Sequence, residues 1–342
     1  MSAQHPPVRR HSVLTLAARY REAGIVIFIL VLAALVTLRA PAFLTLNNFR
    51  DILLNISILS IVALAQTMVI ITKGIDLSVG SMIGLVAMMV AFVFKASPEF
   101  PVALSLPLGM ALGAALGAFN GLVISYGRVP PIIATLGTLS IYRGLVFFYS
   151  QGTWINSFEL PAAFKQLSKG APLGLPNMVI IAILFALAVY FFLNHTRTGR
   201  NIYAVGSNAE AAQMAGIPRQ RIIFLVYVLT GLAAGLAAVL WVSRFESAQT
   251  NTALGFELQT VAASVVGGVS ISGGVGTVPG VLLGALLLGT IDNSLPLLRI
   301  SPFWQLALQG LLILAAVVVD NLILRRSRSE EHTSELQSLT NL

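Results

Sequence analysis

Long apolar runs separated by short polar breaks dominate this chain. Runs fall near 24–38, 56–72, 80–94, 102–126 and 131–149; a polar excursion over 150–176 follows, and then come runs near 177–193, 222–241, 258–271, 275–295 and 303–324. A helix needs about 20 apolar residues to cross a hydrocarbon layer roughly 30 Å thick, and the chain supplies such stretches repeatedly. The pattern predicts an all-α, polytopic integral membrane protein of about ten transmembrane helices, with residues 24–324 forming the membrane domain.

Hydrophobic residues make up 56% of the 342 and charged residues 10%, against roughly a quarter charged in a soluble domain. Such a chain has too few polar groups to cover a globular surface, so membrane lipid is its expected surrounding. The formal net charge is +8. A nucleic-acid binder would gather its Lys and Arg on one face with aromatics between them; here they punctuate the apolar runs, and no nucleic-acid partner is expected. Without cysteine, disulfides and thiolate metal sites are excluded.

Basic residues also orient the helices, because cytoplasmic loops accumulate Lys and Arg. Ten spans with a cytoplasmic N-terminus place Arg9, Arg10, Arg19, Arg21, Lys73, Arg128, Arg197, Arg200, Arg219, Arg221, Arg325 and Arg326 inside. Outside fall Arg39, Arg50, Lys95, Lys165, Lys169, Arg244 and Arg299. Both termini are therefore expected in the cytoplasm, with residues 1–23 forming a basic arm that is poorly suited to be a cleaved signal peptide.

Gly109, Gly113, Gly117 and Gly121 recur every four residues and share one helix face, where a neighbouring backbone can approach closely; Gly231 with Gly235 and Gly280 with Gly284 repeat the device. A different signal lies in TKGIDLSVGS (72–81), a Gly-broken, re-entrant-type segment between two apolar runs. Asp76 there is costly at membrane depth unless it caps a helix, lines water or has a partner. Two readings stand: Asp76 caps the following helix, or the break, with Asp76 and Ser78, borders a translocation path. Asn120, Arg143, Glu257, Asp292 and Asn293 also sit in or beside apolar runs and are path candidates by the same reasoning, with Arg143 expected to pair with Asp292 or Glu257. Trp154, Trp241 and Trp304 lie near helix ends, where an indole suits the interface. Trp241 alternatively stacks on a sugar, since Ser243, Arg244 and Glu246 follow it. No phosphate loop of the form G-x-x-x-x-G-K-[ST] occurs, so any ATP is handled by another chain. His5, His11, His195 and His332 fall outside the expected spans; no metal, cofactor or enzymatic activity is expected.

The stretch TMVIITKGIDLSVGS closely resembles a signature of the permease subunits of bacterial monosaccharide ATP-binding-cassette importers, the ribose, xylose, galactose and rhamnose group. The resemblance continues through ATLGTLSIYRGLVF (134–147), TRTGRNIYAVGSNAEAAQMAGI (196–217), GFELQTVAASVVGGVSISGGVGT (255–277) and FWQLALQG (303–310). It implies a non-enzymatic inner-membrane subunit that moves a monosaccharide, or autoinducer-2, from periplasm to cytoplasm. Its implied partners are a separate ATPase, a periplasmic sugar-binding protein and a second permease copy or sister permease. IYRGLVFFYSQGTWIN and FWQLALQG look most similar to the rhamnose and autoinducer-2 branches, with ribose close behind. In this family a cytoplasmic loop, here 194–221, carries a coupling helix that docks on the ATPase, and the resemblance assigns that contact to Glu210, Ala211, Ala212 and Gly216. The alternative is a proton- or sodium-coupled secondary transporter, for which an acid beside a Gly-broken helix is a recognised layout. The polar tail 325–342 breaks with everything before it. Its segment RSEEHTSELQS (328–338) resembles the in-frame translation of a sequencing-library adapter and is expected to be an artefact.

Overall fold

The computed structural model describes residues 11–301 apart from 173, together with single positions between 303 and 318; side chains are described from residue 22 onward. In chain order the helices are α1 (His11–Arg39), α2 (Leu46–Ile71), α3 (Val79–Ala96), α4 (Val102–Ser125), α5 (Pro131–Ser150) and α6 (Ala162–Lys169). They continue as α7 (Asn177–His195), α8 (Arg197–Ser207), α9 (Ala209–Met214), α10 (Arg219–Phe245), α11 (Phe256–Val266) and α12 (Val278–Leu297). Among the described residues no strand forms beyond one isolated antiparallel bridge between Ile155 and Ala248.

Eight of these helices are long and apolar enough to cross a membrane: α1, α2, α3, α4, α5, α7, α10 and α12. The run expected at 258–271 is different, because α11 ends at Val266 after 11 residues. At 1.5 Å per residue that is about 16 Å, half a crossing. It stops where Gly267 and Gly268 follow; a Cβ on Gly267 would lie 2.4 Å from the Gly280 carbonyl oxygen, and Gly268 has φ 101°. Helix α1 begins at His11, within the stretch 1–23, and its apolar span begins at Glu22. The described positions between 303 and 318 are helical; the rest of the run 303–324 and the tail with its 328–338 segment lie outside the described residues.

The bundle is organised around α2, which runs buried between α7, α10, α11 and α12. At about 39 Å for its 26 residues it spans the whole bundle. The tightest seam joins α4 to α10. A Cβ on Gly113 would sit 2.1 Å from the Gly231 carbonyl oxygen, and one on Gly117 2.2 Å from that of Tyr227. The two backbones touch with no side chain between them, which the four-residue glycine spacing makes possible. Gly284 meets Ala263 in the same way and seats α12 on α11.

At one end of the bundle the short helix α6 lies over the end of α10. Ser243 Oγ donates to the Phe164 carbonyl at 2.7 Å and accepts the Ser168 amide at 3.0 Å, while Lys169 Nζ meets Glu246 Oε1 at 2.5 Å. At the opposite end α8 and α9 project from α7, separated from each other only by Asn208.

Candidate functional site

The break between α2 and α3 is built from local chemistry. Lys73 adopts a left-handed conformation, φ 66°, which stops α2 and turns the chain. Asp76 Oδ1 then accepts the Ser78 amide at 2.9 Å and the Ser78 hydroxyl at 2.6 Å, and Ser78 is the cap from which α3 begins. Helices α4 and α5 close around this turn. Asn120 Nδ2 donates to Ser78 Oγ at 2.8 Å, Tyr142 Oη donates to Asn120 Oδ1 at 3.1 Å, and Thr135 Oγ1 donates to the Ile75 carbonyl at 3.2 Å. Asp76, Ser78 and Asn120 are thus brought together, but in a sealed network: Asp76 is 0% exposed. Its Oδ2 and the Tyr227 hydroxyl are buried without a hydrogen-bond partner among the described residues. Tyr142 and Thr135 complete the network and were not singled out, since a Tyr or Thr in an apolar helix carries no charge to attract notice.

Arg143 and Glu257 lie on the other side of α3. Arg143 Nη1 donates to the carbonyls of Thr250 and Thr252 at 3.0 and 2.9 Å. It makes no salt bridge with Asp292 or Glu257 among the described residues, which corrects the expected pairing; Glu257 is its charged neighbour at longer range. The glycines of α3 make room for this arrangement. A Cβ on Gly80 would lie 2.1 Å from Glu257 Oε2, and one on Gly84 2.9 Å from Arg143 Nη1. Residues 248–255 accordingly run back along α3 from the Ile155 bridge to the start of α11.

A polar cavity of about 180 Å³ opens between α2, α10, α11 and α12. Its polar lining is Asn55, Arg244, Gln259 and Asp292, beside Trp241 and Phe256. Arg244 Nη2 donates to Asn55 Oδ1 at 2.5 Å, and Gln259 Nε2 donates to Asp292 Oδ2. Trp241 packs edge-on against Phe256 with ring centroids 5.3 Å apart. At a liquid-water share of about 30 Å³ each, the space equals roughly six waters. Of the candidates read from sequence, Trp241, Arg244 and Asp292 meet here. Asn293 points away, donating to Asn48 Oδ1 at 2.9 Å; Ser243 is buried under α6, and Glu246 joins Lys165 and Lys169. Asn55 and Gln259 were missed. The apolar run at 56–72 begins one residue after Asn55, and Gln259 is a neutral amide inside an apolar run.

Glu246 lies beyond the end of α10, outside the spans. Its hydrogen bond from Lys169, then that from Ser157, pull its carboxyl down to about 2. Among the described residues no three His, Asp or Glu side chains gather in a way that could hold a metal ion.

At the opposite end, Asn208 Oδ1 accepts the amides of Glu210 and Ala211 at 3.1 and 3.0 Å and so starts α9. Gly216, at φ 79°, ends the turn that follows. Glu210, Ala211 and Gly216 are exposed, whereas Ala212 is only 5% exposed and faces the body of the protein. The outward face carries Met214 instead, 85% exposed. A six-residue helix has one inner and one outer face, and the motif alone does not say which residues turn in.

A family model described as branched-chain amino acid transport system / permease component matches residues 48–317. The ribose import permease protein of Escherichia coli (strain K12) is 42% identical over 299 residues, 86% of this chain and 92% of that protein. Its counterpart in Bacillus subtilis (strain 168) is 40% identical over 86% of this chain and 90% of that protein. The autoinducer 2 import system permease protein of Yersinia pseudotuberculosis serotype O:1b is 36% identical over 88% of this chain and 84% of that protein. No solved structure matches the chain.

Proposed function

Because this chain belongs to the transport-system permease component family, alongside the monosaccharide-type importer permeases, we propose that it is the membrane-spanning subunit of an ATP-binding-cassette importer for a neutral monosaccharide. The cavity carries this reading. An arginine, an aspartate, two amides and an indole converge inside a largely apolar bundle. Sugar hydroxyls both donate and accept, so one ligand can satisfy Arg244 and Asp292 together while its C–H face rests on Trp241. Ribose is favoured over rhamnose and autoinducer-2 because the relatives at 40% and 42% identity are ribose import permeases.

In this reading Trp241 and Asp292, with Asn55, Arg244 and Gln259, line the path. Asp76, Ser78 and Asn120 hold the break between α2 and α3 in register, Arg143 and Glu257 hold residues 250–257 against α3, and Asn293 ties α12 to α2. Residues 248–255 and α11 together make one crossing. With the run 303–324 as the last span, the chain crosses the inner membrane ten times with both termini cytoplasmic. Glu210, Ala211, Met214 and Gly216 face a separate ATPase, the end carrying α6 faces a periplasmic binding protein, and a second copy or sister permease completes the pore.

The test is uptake into proteoliposomes holding the permease with its ATPase and binding protein. Labelled ribose should accumulate with ATP and persist with a protonophore present. Collapse with the protonophore would favour the ion-coupled alternative, and uptake of leucine in place of ribose would refute the substrate class.

A further inference from the structure

The end of α8 touches both interruptions of the helical bundle at once. Gly206 lies over the last turn of α2, where a Cβ would fall 1.8 Å from the Ile71 carbonyl oxygen and 2.9 Å from the Gly274 amide nitrogen. Those two atoms are themselves bonded, Gly274 N donating to Ile71 O at 2.9 Å. One residue further on, the Ser207 carbonyl accepts Lys73 Nζ at 3.4 Å. A Cβ on Gly273 would lie 2.4 Å from Lys73 Cγ and 2.9 Å from the Gly206 carbonyl oxygen. On the preceding turn of α8, Tyr203 Oη donates to the Gly276 carbonyl at 2.8 Å. Three stretches of chain therefore meet backbone to backbone: the end of α8, the break after α2, and the turn between α11 and α12.

Side chains can absorb a displacement by changing rotamer, and directly apposed backbones cannot. Lys73 holds a left-handed conformation, φ 66°, which leaves a non-glycine residue few alternatives, and a Cβ on Gly274 would lie 2.9 Å from Ser207 Cα, so that turn is closed against the end of α8. Only Asn208 separates this junction from α9. On the other side, α2 carries Asn55, α11 carries Phe256 and Gln259, and α12 carries Asp292, all lining the cavity.

We propose that this junction transmits movement of α9 to the cavity, with Gly206, Lys73 and Tyr203 as its positioning residues. The proposal rests on α9 being the ATPase docking element. When α9 shifts, Gly206 carries Ile71 and Gly274 with it, and the two helix breaks move as one body rather than in turn.

The experiment uses the assembled transporter in proteoliposomes and reads three quantities: co-purification of the ATPase, ATP hydrolysis, and ribose taken up per ATP. Gly206→Ala should keep the ATPase bound and hydrolysing while uptake per ATP falls about fivefold or more, the low end of coupling between distant sites. Tyr203→Phe, which removes one hydroxyl, should lower the same ratio by about twofold, in line with one net hydrogen bond, and it decides the matter if the alanine variant does not accumulate. Uptake per ATP at the wild-type value in Tyr203→Phe, or loss of co-purification in Gly206→Ala, would overturn the proposal. Glu210→Arg tests the underlying reading separately, because it should abolish co-purification itself; an ATPase still bound to that variant sinks the docking assignment.

Discussion

Adding one methyl group to Gly113 should loosen the bundle, whereas adding the same group to Gly137 should not. At Gly113 the new Cβ would lie 2.1 Å from the Gly231 carbonyl oxygen, 2.7 Å from the Gly235 nitrogen and 2.8 Å from the Gly235 Cα. Ordinary contact begins at 3.4 Å, so the shortfall is 3.4 minus 2.1, or 1.3 Å, and every obstructing atom is backbone. No rotamer change relieves it, so α4 and α10 must separate by that order along their whole seam. Alanine does favour the helix by about 1 kcal/mol over glycine, but overpacking a closed core costs about 1–3 kcal/mol and more where the backbone must move. Gly113→Ala is therefore expected to be net destabilising by roughly 1–2 kcal/mol. Around Gly137 on α5 nothing lies within 4 Å of the added atom, leaving only the propensity gain. Thermal unfolding of the two purified variants in one detergent should show shifts of opposite sign. If both move the melting temperature the same way, the seam is not the close backbone contact described here.

Ser78→Ala removes the hydroxyl that links Asp76 to Asn120, and should cost about 1–3 kcal/mol because buried polar atoms lose partners; chemical denaturation of the purified protein measures it, and a neutral effect would mean that water replaces the hydroxyl. Trp241→Ala should raise the KM for ribose uptake at unchanged membrane abundance, with Trp241→Phe restoring part of it, whereas an unchanged KM would remove the indole from the path. Glu246 has its carboxyl held below the ordinary 4.5, at about 2, so its ion pairs stabilise fully above about 4.5 and lose that contribution as pH falls toward 2. The pair is partly exposed, at 43% for Lys169 and 26% for Glu246, which limits the effect to about 1 kcal/mol or less. Glu246→Gln should flatten melting temperature against pH between 5 and 3, and a slope equal to that of the unaltered protein would disprove the link.

The hydrophobic pattern located the full-length helices because crossing length is a local quantity, the sum of apolar residues along one stretch. It misjudged α11 for the same reason. The stretch 258–271 is apolar throughout, and what ends the helix early is the meeting of Gly267 with Gly280 on another helix. Asp76 stood out as an acid in an apolar setting, yet the atoms that decide its surroundings, Asn120 and Tyr142, come from α4 and α5. Ala212 was grouped with Glu210 and Ala211 by their motif, and only the direction of α9 turned it inward while leaving Met214 outside.

Although α1 and α2 begin at His11 and Leu46, well before the apolar runs at 24 and 56, the sequence by itself determined the membrane class, the glycine faces and the helices α3 to α5, α7, α10 and α12 within a few residues. These depend on composition and spacing within one segment. The tertiary structure alone decided which polar groups share a space. Asn55 and Arg244 are separated by 189 residues and Gln259 and Asp292 by 33, and they converge because α2, α10, α11 and α12 pack side by side. A neutral amide in an apolar helix gives no local sign of function, since its meaning comes from the partner that packing places opposite it.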